Sequence, residues 1–155
     1  MTLVVDVALE GVRVPLTRVR VADTVRGVLR AERVRDALMS ITFVTGARIA
    51  ALNRRHLRRR GATDVISFGF ARPRARGPVI ADVYIAPAVA RRNAAAAGVG
   101  IREELTRLLV HGVLHALGFD HPEGSRRTTS PMWRRQEQLV ARAMRIAPVR
   151  RTRVA

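Results

Sequence analysis

Three of the four histidines in this chain lie within eleven residues, at His111, His115 and His121. Residues four apart project from the same face of a helix, so His111 and His115 can present their imidazoles to one point. Gly118 is typical of a residue that ends a helix in the left-handed conformation, and such a turn would bring His121 back towards the pair. Three protein ligands leave a fourth position for water or substrate, which is the arrangement of a catalytic zinc site.

We therefore predict one metal ion bound by these three histidines. Imidazole suits zinc, although nickel, copper and iron also accept nitrogen ligands. The alternative is three core or surface histidines satisfied by hydrogen bonds, which the spacing of the three disfavours. Asp120 precedes the third histidine, and it either orients a ligand ring or only caps the turn after Gly118.

The same spacing occurs in the metzincin proteases, where a glutamate follows the first histidine and acts as general base. Here that position is Gly112, which has no side chain to accept a proton. A metzincin-like metalloprotease is therefore disfavoured despite the matching ligand pattern.

Composition predicts one globular domain, since 155 residues with 48% apolar side chains can build a core. The formal charge is +17, and every one of the 29 basic residues is arginine. Clustered guanidinium groups favour a polyanionic partner, although a compositional bias also explains the missing lysines. The absence of lysine and cysteine excludes Schiff-base and thiol chemistry, disulfides and sulfur-ligated zinc.

Hydrophobic periodicity predicts four strands and five helices in one α+β domain. The strands are expected at residues 2–9, 38–44, 65–70 and 79–86. The helices are expected at about 17–31, after Thr45-Gly46, at 87–98, at 101–117 and at about 131–144. The expected fold is a small mixed sheet of about four strands packed against about five helices, with the metal site at the end of a central helix.

The ends of the chain carry no recognisable targeting segment. Residues 1–11 lack a basic region before their apolar run, which Asp6 interrupts. We expect a cytoplasmic protein that does not engage a membrane. The domain is expected to span residues 1–146, followed by a basic tail at 147–155.

The histidine segment, HGVLHALGFDH, resembles the pattern HGxLHLxGYDH of the YbeY family of bacterial ribosomal RNA maturation endoribonucleases. Two further blocks resemble that family in the same order. Leu52-Asn53 followed by TDVISF at 63–68 is similar to its LN…TDVLSF, and ADVYI at 81–85 is similar to its GDIVIS strand. The histidine block is highly specific, whereas the other two are supportive.

The resemblance implies a metal-dependent endoribonuclease specific for single strands, with one zinc ion on His111, His115 and His121. It also implies a role in 16S ribosomal RNA 3′-end maturation, ribosome biogenesis and ribosome quality control. The implied partners are ribosomal RNA and the small ribosomal subunit, with ribosome-associated proteins as further candidates. A non-enzymatic alternative is a ribosome-associated RNA-binding factor in which zinc mainly stabilises the fold.

One family position differs in this chain. The family has an arginine implicated in RNA cleavage after an aromatic residue, and the alignment places Leu57 there, after His56. Arg58, Arg59 and Arg60 follow directly, so we predict that they contact RNA and that Arg58 is the candidate for stabilising a phosphate. They belong to a segment with eight arginines in 23 residues: Arg54, Arg55, Arg58, Arg59, Arg60, Arg72, Arg74 and Arg76.

Overall fold

The computed structural model describes residues 2–56, 65–69, 77–122 and 124–145. The strands are β1 (Leu3–Leu9), β2 (Ala37–Phe43), β3 (Val65–Gly69) and β4 (Val79–Ile85). The α-helices are α1 (Arg18–Ala31), α2 (Gly46–His56), α3 (Pro87–Ala97), α4 (Ile101–Ala116) and α5 (Pro131–Arg145). A 3-10 helix spans Gly124–Thr129 and joins the region after α4 to α5.

The nine predicted elements are all present, and each end that was predicted differs by no more than one residue from the observed one. The 3-10 helix was not predicted, because its sequence, GSRRTT, has no apolar periodicity. No helix in the described ranges has both the length and the apolar character needed to cross a membrane.

The sheet is mixed, with strand order β1-β2-β4-β3. Strands β1, β2 and β4 are parallel, and β3 lies antiparallel to β4 at the edge. Parallel neighbours need a crossover connection, which α1 provides between β1 and β2. The structure thus confirms the predicted α+β fold and its mixed four-stranded sheet.

Helix α4 lies at the centre of the domain. It contacts α1, α3 and α5 as well as β3 and β4, and the ten residues from Glu104 to Leu114 other than Arg107 are buried. Alternate residues of the strands, including Ile41, Phe43 and Val83, form the facing side of the core and are fully buried. A helix enclosed on all sides has little freedom to move, so side chains at its end are held in fixed positions.

Helix α2 packs on the opposite face of the sheet, near the β3 edge. There Ile49 and Leu52 form a second cluster with Ile66 of β3. The chain after α2 is the arginine-rich segment, and residues 57–64 lie outside the described part.

Gly112 allows α4 to approach the sheet closely. A Cβ atom at this position would lie 2.7 Å from Cγ1 of Val83 and 2.9 Å from Cγ2 of Val65, distances that side-chain carbons do not tolerate. The Ser67 hydroxyl donates a 2.8 Å hydrogen bond to the Gly112 carbonyl at the same contact. Position 112 thus faces the sheet, and a glutamate there has no room.

We predict that Gly112→Ala lowers the free energy of unfolding. Overpacking a tight core costs about 1–3 kcal/mol, against a gain of about 1 kcal/mol in helix propensity. Urea unfolding measures the difference. The matched control is Gly27→Ala in α1, where a Cβ meets no atom within 4 Å and only the propensity gain is expected. Equal stabilisation by both substitutions would contradict the close contact.

Candidate metal centre

Helix α4 ends in a Schellman motif that returns the chain towards the histidines. The Phe119 amide donates to the Leu114 carbonyl at 3.0 Å, and the Gly118 amide donates to the His115 carbonyl at 2.9 Å. Gly118 has a φ of +99°, as the motif requires. The prediction that a left-handed glycine ends this helix and redirects His121 is confirmed.

The three predicted ligands come together at this end of α4. One ring nitrogen from each of His111, His115 and His121 lies within 4.8 Å of the other two. Their ring centroids are 4.5–5.1 Å apart. His111 is buried, whereas His115 and His121 are half-buried. The cluster therefore faces the protein interior at His111 and the surface at His115 and His121. The short distances between the rings allow a single ion to contact all three.

Each ring has a hydrogen-bond partner outside the cluster. His111 Nδ1 lies 2.6 Å from Gln136 Oε1, and His121 Nδ1 lies 3.1 Å from the Pro122 carbonyl oxygen. His115 forms a hydrogen bond with the backbone of Phe119. Such outer partners fix the tautomer of a ligand histidine and orient its ring.

The amide of Gln136 has only one consistent orientation. Its Nε2 donates to Glu137 Oε1 at 3.3 Å, and a carboxylate can only accept. Its Oε1 therefore faces His111, so His111 Nδ1 must carry the proton and Nε2 keeps its lone pair. Gln136 is itself buried in α5, 25 residues beyond its partner.

The two histidines of α4 are neutral at physiological pH. Burial lowers the pKa of His111 to about 4, although the Gln136 hydrogen bond opposes this shift. Burial, followed by the charge of His121, also lowers the pKa of His115. The positive Arg127 side chain acts in the same direction on both rings. A neutral imidazole is the form that binds metals, so the site is prepared for a cation.

Asp120 and Asp82, which lie in the segments that resemble the family, have structural hydrogen-bond partners. Asp120 Oδ1 accepts a 2.8 Å hydrogen bond from the backbone amide of His121, which favours its interpretation as a turn cap. Asp82 accepts a hydrogen bond from Ser40 on the neighbouring strand. Neither contact reaches a histidine ring.

The predicted RNA-contact residues Arg58, Arg59 and Arg60 lie outside the described residues, as do Arg72, Arg74 and Arg76. Arg54 and Arg55, at the end of α2, are exposed. Gln136 was missed by the sequence analysis. A glutamine in an amphipathic helix carries no local pattern that indicates contact with a histidine 25 residues earlier.

We predict that Gln136→Leu weakens metal binding about 10–100-fold, the usual effect of losing an outer hydrogen bond to a ligand histidine. The substitution leaves the buried His111 Nδ1 proton without an acceptor. Competition with a chromophoric chelator measures the affinity for zinc. Gln138→Leu on an exposed position of the same helix is the control and should bind zinc like the parent. Equal affinity in both variants would exclude the orienting role.

The metal-free protein should lose stability as the pH falls. Because the pKa of His111 is lower in the folded state, the unfolded chain binds more protons between about pH 6.5 and pH 4. The free energy of unfolding should therefore fall by about 2 kcal/mol between pH 7 and pH 5 from this residue alone. Urea unfolding in the presence of a chelator measures it. His111→Gln should show a shallower fall, and an identical fall would argue against the shifted pKa.

The family model described as endoribonuclease YbeY matches residues 12–144. A protein named endoribonuclease YbeY from Acidothermus cellulolyticus is 36% identical over 133 residues, covering 78% of this chain and 80% of the relative. Another protein of that name, from Anaeromyxobacter dehalogenans, is 44% identical over 86 residues, covering 56% of this chain and 45% of the relative. The match thus spans less than half the length of the second relative.

A solution structure of a Thermotoga maritima protein shares the fold. Its TM-score is 0.56 at 21% identity, and the match covers 90% of this chain and 88% of the other. The family match spans most of the chain, includes all three clustered histidines, and is accompanied by relatives over 30% identical across more than two thirds of its length. The chain belongs to the endoribonuclease YbeY family.

Proposed function

We propose that this protein is a metal-dependent endoribonuclease that cleaves single-stranded RNA at the His111–His115–His121 centre. The observation that carries the proposal is the convergence of three ring nitrogens within 4.8 Å at the end of α4. The name shared by its relatives, endoribonuclease YbeY, supports hydrolysis of RNA phosphodiester bonds.

Zinc, one ion per chain, is the proposed cofactor. The donor set fits it, because three imidazole nitrogens with one position left for water or substrate is the ligand set of catalytic zinc. The outer hydrogen bonds to His111 and His121 leave Nε2 of each ring as the ligand atom. When bound, zinc can polarise a phosphoryl oxygen and lower the pKa of water from about 15.7 towards 7.

The side chains of the chain bind the ion and orient its ligands. The three histidines are the proposed metal ligands, and hydrogen bonds with Gln136 and with the backbone of Phe119 and Pro122 orient their rings. With zinc held by the three histidines, a carboxylate base next to His111 would not be required. We propose that Arg58, with Arg59 and Arg60, stabilises charge on the phosphoryl group.

The proposed substrate is ribosomal RNA in the small subunit, with roles in 16S 3′-end maturation, ribosome biogenesis and quality control in the cytoplasm. A net charge of +17 supports a polyanionic partner, because neutralised phosphates release counterions. Ribosome-associated proteins are candidate partners.

Two other functions predict different outcomes. A metzincin-like metalloprotease would need a glutamate base beside the first histidine. At position 112 the side chains of Val83 and Val65 leave no room for one. An RNA-binding factor would keep zinc only for stability. In that case a chelator would lower the melting temperature, while the zinc-loaded protein would leave RNA intact.

We predict that His115→Ala binds less than one zinc ion per chain and that its RNA cleavage falls by more than about 100-fold. Loss of a hydrogen-bond partner of a ligand histidine already lowers metal affinity or activity about 10–100-fold, and loss of a ligand itself should have a larger effect. Metal analysis and a cleavage assay on a labelled single-stranded RNA are run on the same samples. The parent protein should lose activity with a chelator and recover it when zinc is restored. Cleavage that persists in metal-free buffer would contradict the mechanism, and cleavage of casein but not RNA would indicate a protease.

A further inference from the structure

A second feature is a pocket on the part of α4 that precedes His111. A shallow pocket of about 780 Å³ is bordered by α3, α4, the 3-10 helix and α5, and its walls include Asn93, Arg107, Arg127 and Trp133. Arg107 precedes His111 by one turn of α4. A volume of this size falls in the range of about 300–1,000 Å³ that small-molecule sites occupy.

The carboxylates of this pocket are already paired. Arg107 donates to Glu137 Oε1 at 2.8 Å and to Glu104 Oε2 at 2.9 Å, and its side chain is mostly buried. Buried pairs of this kind are screened little by solvent. The four charged side chains of the wall, two arginines and two glutamates, sum to zero formal charge, so the wall presents no net negative charge to an incoming anion.

Among the described residues, Arg127 has no such partner. Its Nε is buried without a hydrogen-bond acceptor, and it forms no ion pair with any carboxylate in the described ranges. A buried guanidinium nitrogen without an acceptor is unfavourable by about 1–3 kcal/mol or more. The pocket lies beside the candidate metal centre, because Glu137 in its wall directly follows Gln136, the hydrogen-bond partner of His111.

The indole of Trp133 completes the arrangement. Arg127 Cζ lies 5.8 Å from the centre of the ring, a cation–π distance, and Trp133 is half-buried. The Ser130 hydroxyl accepts a 3.2 Å hydrogen bond from the Trp133 amide, so the ring projects from the fixed first turn of α5. An aromatic ring beside an arginine is the combination that binds single-stranded nucleic acid, through base stacking and phosphate contact.

We propose that the Arg127–Trp133 pocket is a nucleotide subsite for single-stranded RNA next to the metal centre. Arg127 contacts the phosphate and Trp133 stacks on the base of the nucleotide that flanks the cleaved bond. The inference rests on the proposed function, since it takes RNA as the substrate. It adds a binding site on the α5 side of the centre, formed by residues other than Arg58, Arg59 and Arg60.

Trp133 is the only tryptophan of the chain, so its fluorescence reports this pocket alone. The zinc-loaded protein is titrated with a short, labelled 2′-O-methyl oligoribonucleotide. Anisotropy of the label measures total binding, and Trp133 emission measures occupancy of the pocket. Saturation of both signals over the same concentration range is expected.

Arg127→Gln should weaken binding at least tenfold and reduce by about one the slope of log affinity against log salt. Arg126→Gln is the matched control, because this neighbour on the same 3-10 helix is exposed and should change binding far less. Both variants should keep one zinc ion per chain, which shows that the fold and the histidines are intact. Trp133→Leu should weaken binding while leaving zinc stoichiometry unchanged.

Unchanged Trp133 emission while the labelled RNA saturates, or equal affinities of the Arg127 and Arg126 variants, would overturn the subsite. If the parent still cleaves RNA in that case, the proposed endoribonuclease activity stands without it. Failure of the parent both to bind the oligonucleotide and to cleave RNA would overturn the subsite and the proposed function together.

Discussion

The close contact between α4 and the sheet is the constraint on which the rest of the structure depends. Gly112 lets the helix backbone lie against Val83 and Val65, and the Ser67 hydrogen bond holds it there. Because one face of the helix is fixed on the sheet, the adjacent His111 points towards α5 and meets Gln136. Gly112 therefore has two consequences. It stands where a metzincin protease has its glutamate base, and it allows α4 to pack closely on the sheet.

Burial and charge together prepare the site for a cation in a strongly basic protein. A chain with a net charge of +17 disfavours additional positive charge, and desolvation keeps His111 neutral. Arg107 pairs with both Glu104 and Glu137 and so offsets one of their two negative charges. Arg127 alone among these groups keeps a charge with no paired carboxylate in the described part of the chain. A guanidinium group with no carboxylate partner can bind a phosphate of RNA.

Much of this organisation follows from local sequence. Hydrophobic periodicity predicted the four strands and α4, and Gly118 predicted where α4 ends. The clustering of the three histidines followed from helical spacing for His111 and His115 and from the turn at Gly118 for His121. Contacts between distant segments could not be predicted in this way. The Gln136 amide and the Arg127–Trp133 pair reach the site only through packing of α5, and the 3-10 helix that positions Arg127 has no apolar period.

Zinc titration of the metal-free protein tests the central claim most directly, with bound zinc and RNA cleavage measured on the same samples. If RNA is cleaved at a single centre made by His111, His115 and His121, cleavage should be absent without zinc, rise in proportion to occupancy, and saturate at one ion per chain. Cleavage at full rate with no zinc bound, or cleavage that does not follow occupancy of the first ion, would contradict it.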